Sequence, residues 1–136
     1  MAADGPGATL PRVIWIVIGA GGAIGAMARH GLNHLVHQRA LSSTFPLGIF
    51  LVNILGSAAM GVLAGLVASN RLALSFPMRS FLIVGVLGGF TTFSSFSFDT
   101  LALMKDGHAG QAILNAAGQV VLSLVAVWAG FRLAGG

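Results

Sequence analysis

Four apolar stretches, running approximately over residues 13–36, 45–68, 76–104 and 109–133, occupy nearly the whole of a 136-residue chain. Each is at least as long as the about 20 residues a helix needs to cross the hydrocarbon core. In lipid every backbone donor and acceptor must find an internal partner, which leaves helices or a closed barrel. Long apolar runs separated by short breakers suit helices, whereas a barrel needs short strands of alternating polarity. The chain is therefore expected to be an all-α integral membrane protein: one four-helix domain over 1–136, with a flexible tail at 1–10. Only 7% of its residues are charged, against about a quarter in soluble domains, and no room remains for a soluble domain.

The opening MAADGPGATLPR has no basic cluster and is followed by no small-residue cleavage site, so the first span is read as a retained helix. With no cysteine, disulfides and thiolate metal sites are excluded. The formal charge of +4 comes from basic residues spaced one or two per connection. That spacing fits helix-end anchors and argues against a nucleic-acid surface.

The connections are short: HGLNHLVHQRALSS reads as a histidine-bearing loop after span 1, SNRLALSFPMRS joins spans 2 and 3, and KDGHAG makes a tight turn before span 4. Glycines recur at four-residue spacing as Gly21 and Gly25, Gly61 and Gly65, and Gly85 and Gly89, which lets helices approach closely. Arg12, Arg71, Arg79 and Arg132 belong to one side of the membrane, and Arg29, Arg39 and Lys105 to the other. Basic residues in short loops set orientation, and this division is almost even. Two readings follow: a single orientation decided by one arginine, or insertion both ways with opposed copies pairing about a two-fold axis in the membrane plane.

Polar residues inside the spans are where function is expected. Asn115, Gln119 and Ser123 follow at i, i+4 and i+8 in span 4, and Asn53 and Ser57 form a similar face in span 2 that runs on into Gly61 and Gly65. Facing lipid these groups would be costly, so they meet one another, a second subunit or water. Span 3 carries GGFTTFSSFSFDT at 88–100. Gly88 and Gly89, followed by Thr91 and Thr92, form a place where the helix can unwind, its freed carbonyls becoming cation ligands; an intact helix with a glycine-rich packing face is the alternative. Phe93 and Phe96, at i and i+3, share a face, and Thr92, Ser95 and Asp99 share the next. Phenylalanine edges are electropositive, so two rings beside hydroxyls offer an anion attraction without a charge to trap it; packing alone is the plainer role for such a face.

Enzyme chemistry finds no support. GAGGAIG at 19–25 departs from the dinucleotide fingerprint and lies in a membrane span. His30 and His34 stand at chelating spacing, but with no carboxylate or cysteine nearby a solvated interfacial role is the simpler reading. No nucleophile, base and orienting acid fall together. A proton-coupled exporter of the small multidrug type needs a carboxylate in its first span, and this one has none. A non-transporting assembly subunit, with the polar stripes as packing, is the remaining alternative.

GGFTTFSSFS in span 3, FPLGIFLVNILG in span 2 and GGAIGAMAR in span 1 together resemble the CrcB/Fluc family of fluoride channels, over all four spans. The resemblance implies an antiparallel, dual-topology homodimer in the cytoplasmic membrane, with the third helix broken near Gly88 to Thr92, that exports fluoride passively. It further implies a structural, untransported sodium ion held by the carbonyls of Gly88 and Thr91 from both subunits. Phe93 and Phe96 would line the fluoride pathway with Asn53, Ser94, Ser97 and Asn115 as polar partners, and Arg29 would match the family's span 1 arginine near a pore mouth. The chain departs from the family at Phe90, Ser95, Phe98, Asp99 and Ile49, where relatives often have leucine, threonine, alanine, glutamate and threonine. Asp99 is expected to be paired or to lie off the conducting face.

Overall fold

The computed structural model describes residues 12–39 and 44–135. The expected tail at 1–10 and residues 40–43 of the first connection lie outside the described residues. Helix α1 spans Arg12–Arg39, α2 Leu47–Ala68 and α6 Ala109–Gly135. The third span is composite: α3 (Phe76–Arg79) passes into a π-helical stretch over Ser80–Leu87 and a last turn, α4 (Gly88–Phe90), and after Thr91 and Thr92 the chain resumes as α5 (Phe93–Lys105). Four segments are long and apolar enough to cross a membrane: Arg12–Arg39, Leu47–Ala68, Phe76–Lys105 and Ala109–Gly135. α1 continues through the three histidines that the sequence placed in a loop.

Local chemistry sets the helix ends. Ser75 caps α3 by accepting from the Met78 N–H, with Pro77 behind it in the first turn, where a missing N–H costs nothing. α5 stops in a left-handed turn: Gly107 has φ +78°, its N–H donates to Met104 O, and the His108 N–H donates to Leu103 O at 2.8 Å. This paired-bond helix terminus needs a residue that tolerates the left-handed region. Asn70, at φ +57°, ends α2 in the same way through its own bond to Val67 O and that of Arg71 to Leu66 O.

Two helix pairs make the bundle. α2 lies along α6, and α1 lies along the first half of the third span. Both seams are backbone-to-backbone. A methyl added at Gly89 would stand 2.5 Å from Gly22 O, and one at Gly130 2.5 Å from Ala58 O, so only glycine permits these approaches. Beyond the break the third span changes partner: the π-helical stretch and α4 pack on α1, whereas α5 packs on α6. A straight helix would serve only one of these neighbours.

Candidate functional site

The break is at the threonines. Gly88 keeps helical angles (φ −65°, ψ −36°), while Thr91 (φ −79°, ψ 155°) and Thr92 (φ −153°, ψ 119°) are extended. The break thus falls at the C-terminal end of the expected Gly88 to Thr92 window, while Gly89 stays helical with its Cα against the backbone of α1. Thr91 still closes the last turn, its N–H and its hydroxyl both reaching Leu87 O at 3.0 Å. Thr92 caps α5: its Oγ1 accepts from the Ser95 N–H at 3.2 Å.

Non-helical backbone inside a membrane bundle needs substitute partners, and Asn53 of α2 supplies them. Its Oδ1 accepts from the Thr92 N–H at 2.8 Å and its Nδ2 donates to Thr92 O at 3.0 Å. The side-chain amide thus pairs with an extended residue much as a neighbouring strand would. In an unbroken helix the Thr92 N–H would donate to Gly88 O; turned to Asn53, it frees that carbonyl from its ordinary partner. The network continues from Asn53 Nδ2 to Gln119 Oε1 (2.6 Å), from Gln119 Nε2 to Asn115 Oδ1 (2.8 Å), from Asn115 Nδ2 to Thr100 Oγ1 (2.8 Å) and from Thr100 Oγ1 to Phe96 O (2.8 Å). Thr92 before the phenylalanines and Phe96 itself are thereby tied to one chain of bonds, in which every amide orientation is set by the next.

A cleft of about 370 Å³ opens beside this network. Asn53, Gly56, Ser57 and Met60 wall it from α2, Thr91, Thr92, Phe93 and Phe96 from the break and α5, and Gln119, Ser123 and their apolar neighbours from α6. The Phe93 and Phe96 rings lie 5.1 Å apart, tilted by 51°, with Phe93 76% exposed. Ser94 and Ser97 are also exposed; Ser94 Oγ lies 3.1 Å from Thr92 Oγ1, and Ser97 Oγ donates to Phe93 O at 2.9 Å. Asn115 is 0% exposed and does not line the cleft; it connects to the lining residues Gln119 directly and Phe96 through Thr100. Arg29 extends from α1 to within 3.5 Å of Thr91 O. Asp99 does not line the cleft, and its buried Oδ2 has no hydrogen-bond partner among the described residues. Ile49 is buried.

The structure brings Asn53, Phe93 and Phe96 together on one cleft and Gly88, Thr91 and Arg29 around one break. The sequence marks Thr92 as part of the unwinding point and Gln119 as part of the span 4 polar face, without pathway roles of their own, and does not single out Thr100. The Asn115–Gln119 spacing carried a signal for the second of them; nothing local marked Thr100.

These features define a class: a small four-span membrane protein with a broken third helix and a polar cleft beside the break. Residues 16–131 match the CrcB-like protein family, Camphor Resistance (CrcB), and the chain belongs to that family. It is 44% identical over 119 residues to "Fluoride-specific ion channel FluC 2" of Nitrobacter hamburgensis, covering 88% of this chain and 94% of that one. It is 47% identical over 118 residues to "Fluoride-specific ion channel FluC" of Opitutus terrae (86% and 89% covered). To the protein of the same name from Thermus thermophilus it is 46% identical over 121 residues (89% and 94%).

Proposed function

We propose that this chain forms a fluoride-selective channel that lets fluoride leave the cytoplasm down its electrochemical gradient and so limits its toxicity. The observation that carries the reading is the cleft, in which two phenylalanine rings meet amide and hydroxyl groups next to a helix break held by Asn53. It is supported by relatives named as fluoride channels that share close to half of their residues with this chain over nearly their whole length. Phe93 and Phe96 present weakly positive edges to the anion. Asn53, Ser94 and Ser97 replace part of its water, and Asn115 acts through Gln119. Selectivity then rests on the fit of a narrow path to a small anion rather than on a fixed charge. Arg29 raises the local anion concentration. A passive channel needs no catalytic step.

The working unit is an antiparallel homodimer in the cytoplasmic membrane. Two features support a second copy: the almost even division of basic residues between the two sides, and the exposure of Phe93, Ser94 and Ser97 at the start of α5, beside the cleft. The Gly88 carbonyl freed at the break fits a hard cation, so the carbonyls of Gly88 and Thr91 would hold a structural sodium ion. When bound, that ion supplies a fixed positive charge tying the two copies together. The test is efflux from liposomes followed with a fluoride electrode: fluoride leaves rapidly and chloride does not, and equal rates for the two ions would sink the proposal.

A further inference from the structure

α1 does not end where its apolar pattern fades. Because it continues to Arg39, His30, His34 and His37 fall at i, i+4 and i+7 and form one stripe along a helix. All three are exposed, as is Gln38. The His30 and His34 rings are nearly parallel, with centroids 6.3 Å apart and 10° between planes. One turn further on, Gln38 Nε2 lies 2.9 Å from His34 Nε2. Whichever atom donates, this is the bond that an ion must displace to reach His34 Nε2.

The height of the stripe in the bundle is set by its neighbour. A Cβ on Gly48 would stand 3.0 Å from the Cα of Asn33, so residue 33 is level with the first turn of α2. His34 and Gln38 therefore lie at the mouth of the bundle, where water and ions reach them, with His30 one turn inside.

We propose that His30 and His34 form a site for a divalent transition-metal ion at this end of α1. Residues at i and i+4 hold their Cβ atoms about 5–6 Å apart, so that two exposed imidazoles, turned out of their parallel arrangement, reach one ion at roughly 2.0–2.1 Å. The donors are neutral nitrogens, so the site takes Cu²⁺ ahead of Zn²⁺ and rejects Mg²⁺ and Ca²⁺, which require oxygen ligands. Among the described residues no third histidine, cysteine or carboxylate converges on the pair. Water, together with the Gln38 amide oxygen once that side chain swings aside, completes the coordination and leaves the ion exchangeable. The cations nearest in sequence, Arg29 and Arg39, weaken binding without blocking it, since Arg29 reaches to Thr91 O. Bridging successive turns also staples the end of α1, so metal raises the melting temperature. None of this depends on what passes through the cleft.

The experiment is calorimetric titration of the full chain in detergent, free of any histidine tag, with CuCl₂ and with ZnCl₂, alongside thermal melting. One saturable site per chain is expected, tighter for Cu²⁺, with a metal-dependent rise in melting temperature. His30→Ala and His34→Ala should each weaken binding by about tenfold or more, a loss of at least ~1.4 kcal/mol, and remove the rise in melting temperature. Each variant's metal-free melting should match the parent, as these side chains are exposed. Absence of saturable binding, or binding unchanged in both variants, would overturn the proposal. So would a loss in His37→Ala equal to that in His34→Ala.

Discussion

Asn53 holds Thr92 by both ends of its amide: Oδ1 takes the Thr92 N–H at 2.8 Å, and Nδ2 gives to Thr92 O at 3.0 Å. The two residues are 39 positions apart, on different spans, and this pairing makes a break in the third span compatible with a lipid surround.

Replacing Asn53 by alanine removes three hydrogen bonds and strands a buried N–H, at a cost of about 1–3 kcal/mol for each group left unsatisfied. Asn53→Ala is expected to melt well below the parent and to lose fluoride efflux. Ser57→Ala is the stability control: among the described residues the Ser57 hydroxyl bonds only to Asn53 O, one turn back, so its melting temperature stays near the parental value.

Gln119 separates the two halves of the network. Gln119→Leu keeps the volume but leaves Asn115 Oδ1 without its donor and takes an acceptor from Asn53, so a loss of stability of about 1–3 kcal/mol is expected. Denaturant or thermal unfolding in detergent reads it directly. Efflux should fall less than in Asn53→Ala, since the bonds from Asn53 to Thr92 survive.

Phe96 separates conduction from assembly. Phe96→Ile should reduce fluoride efflux from liposomes to background while the dimer persists in size-exclusion chromatography or cross-linking. Loss of the dimer together with efflux would instead mean that the ring serves packing.

Glycine at the α2–α6 seam is required by contact with the opposing backbone. A side chain at Gly61 would run into the main chain of Val127, and overpacking of this kind costs about 1–3 kcal/mol, occasionally more. Gly61→Leu should therefore yield little folded protein, judged by recovery of a monodisperse peak. Gly110, with open space around its Cα, should accept alanine without loss.

Sodium dependence checks the cation assignment. Substituting N-methylglucamine for sodium throughout purification and assay should lower efflux, and restoring sodium should recover it. Indifference to the exchange would remove Gly88 and Thr91 from a cation site.

The length and apolarity of the four runs were enough to determine a four-span helical membrane protein, because a backbone in lipid has so few ways to satisfy itself. The shared face of Phe93 and Phe96 followed from helical spacing. Asn53 stood out as an amide inside a span. A weakness in the third span near Gly88 to Thr92 was also legible, in a run of glycines and hydroxyls with no other place in an apolar segment. Local pattern could not choose the residues within that window, where a distant partner decides: Gly89 packs helical against Gly22, and Thr92 is the extended residue because Asn53 is placed to receive it. The histidines read as the end of span 1 and its loop because the apolar pattern thins among them, although the helix runs on to Arg39. Asn115 and Gln119 could be aligned on one face, but their bonds to Thr100 and Asn53 depend on which helices lie side by side. Spans are a matter of each segment's own transfer free energy and are written locally. The break and the network exist only where donors and acceptors from separate helices coincide, and tertiary packing alone brings them there.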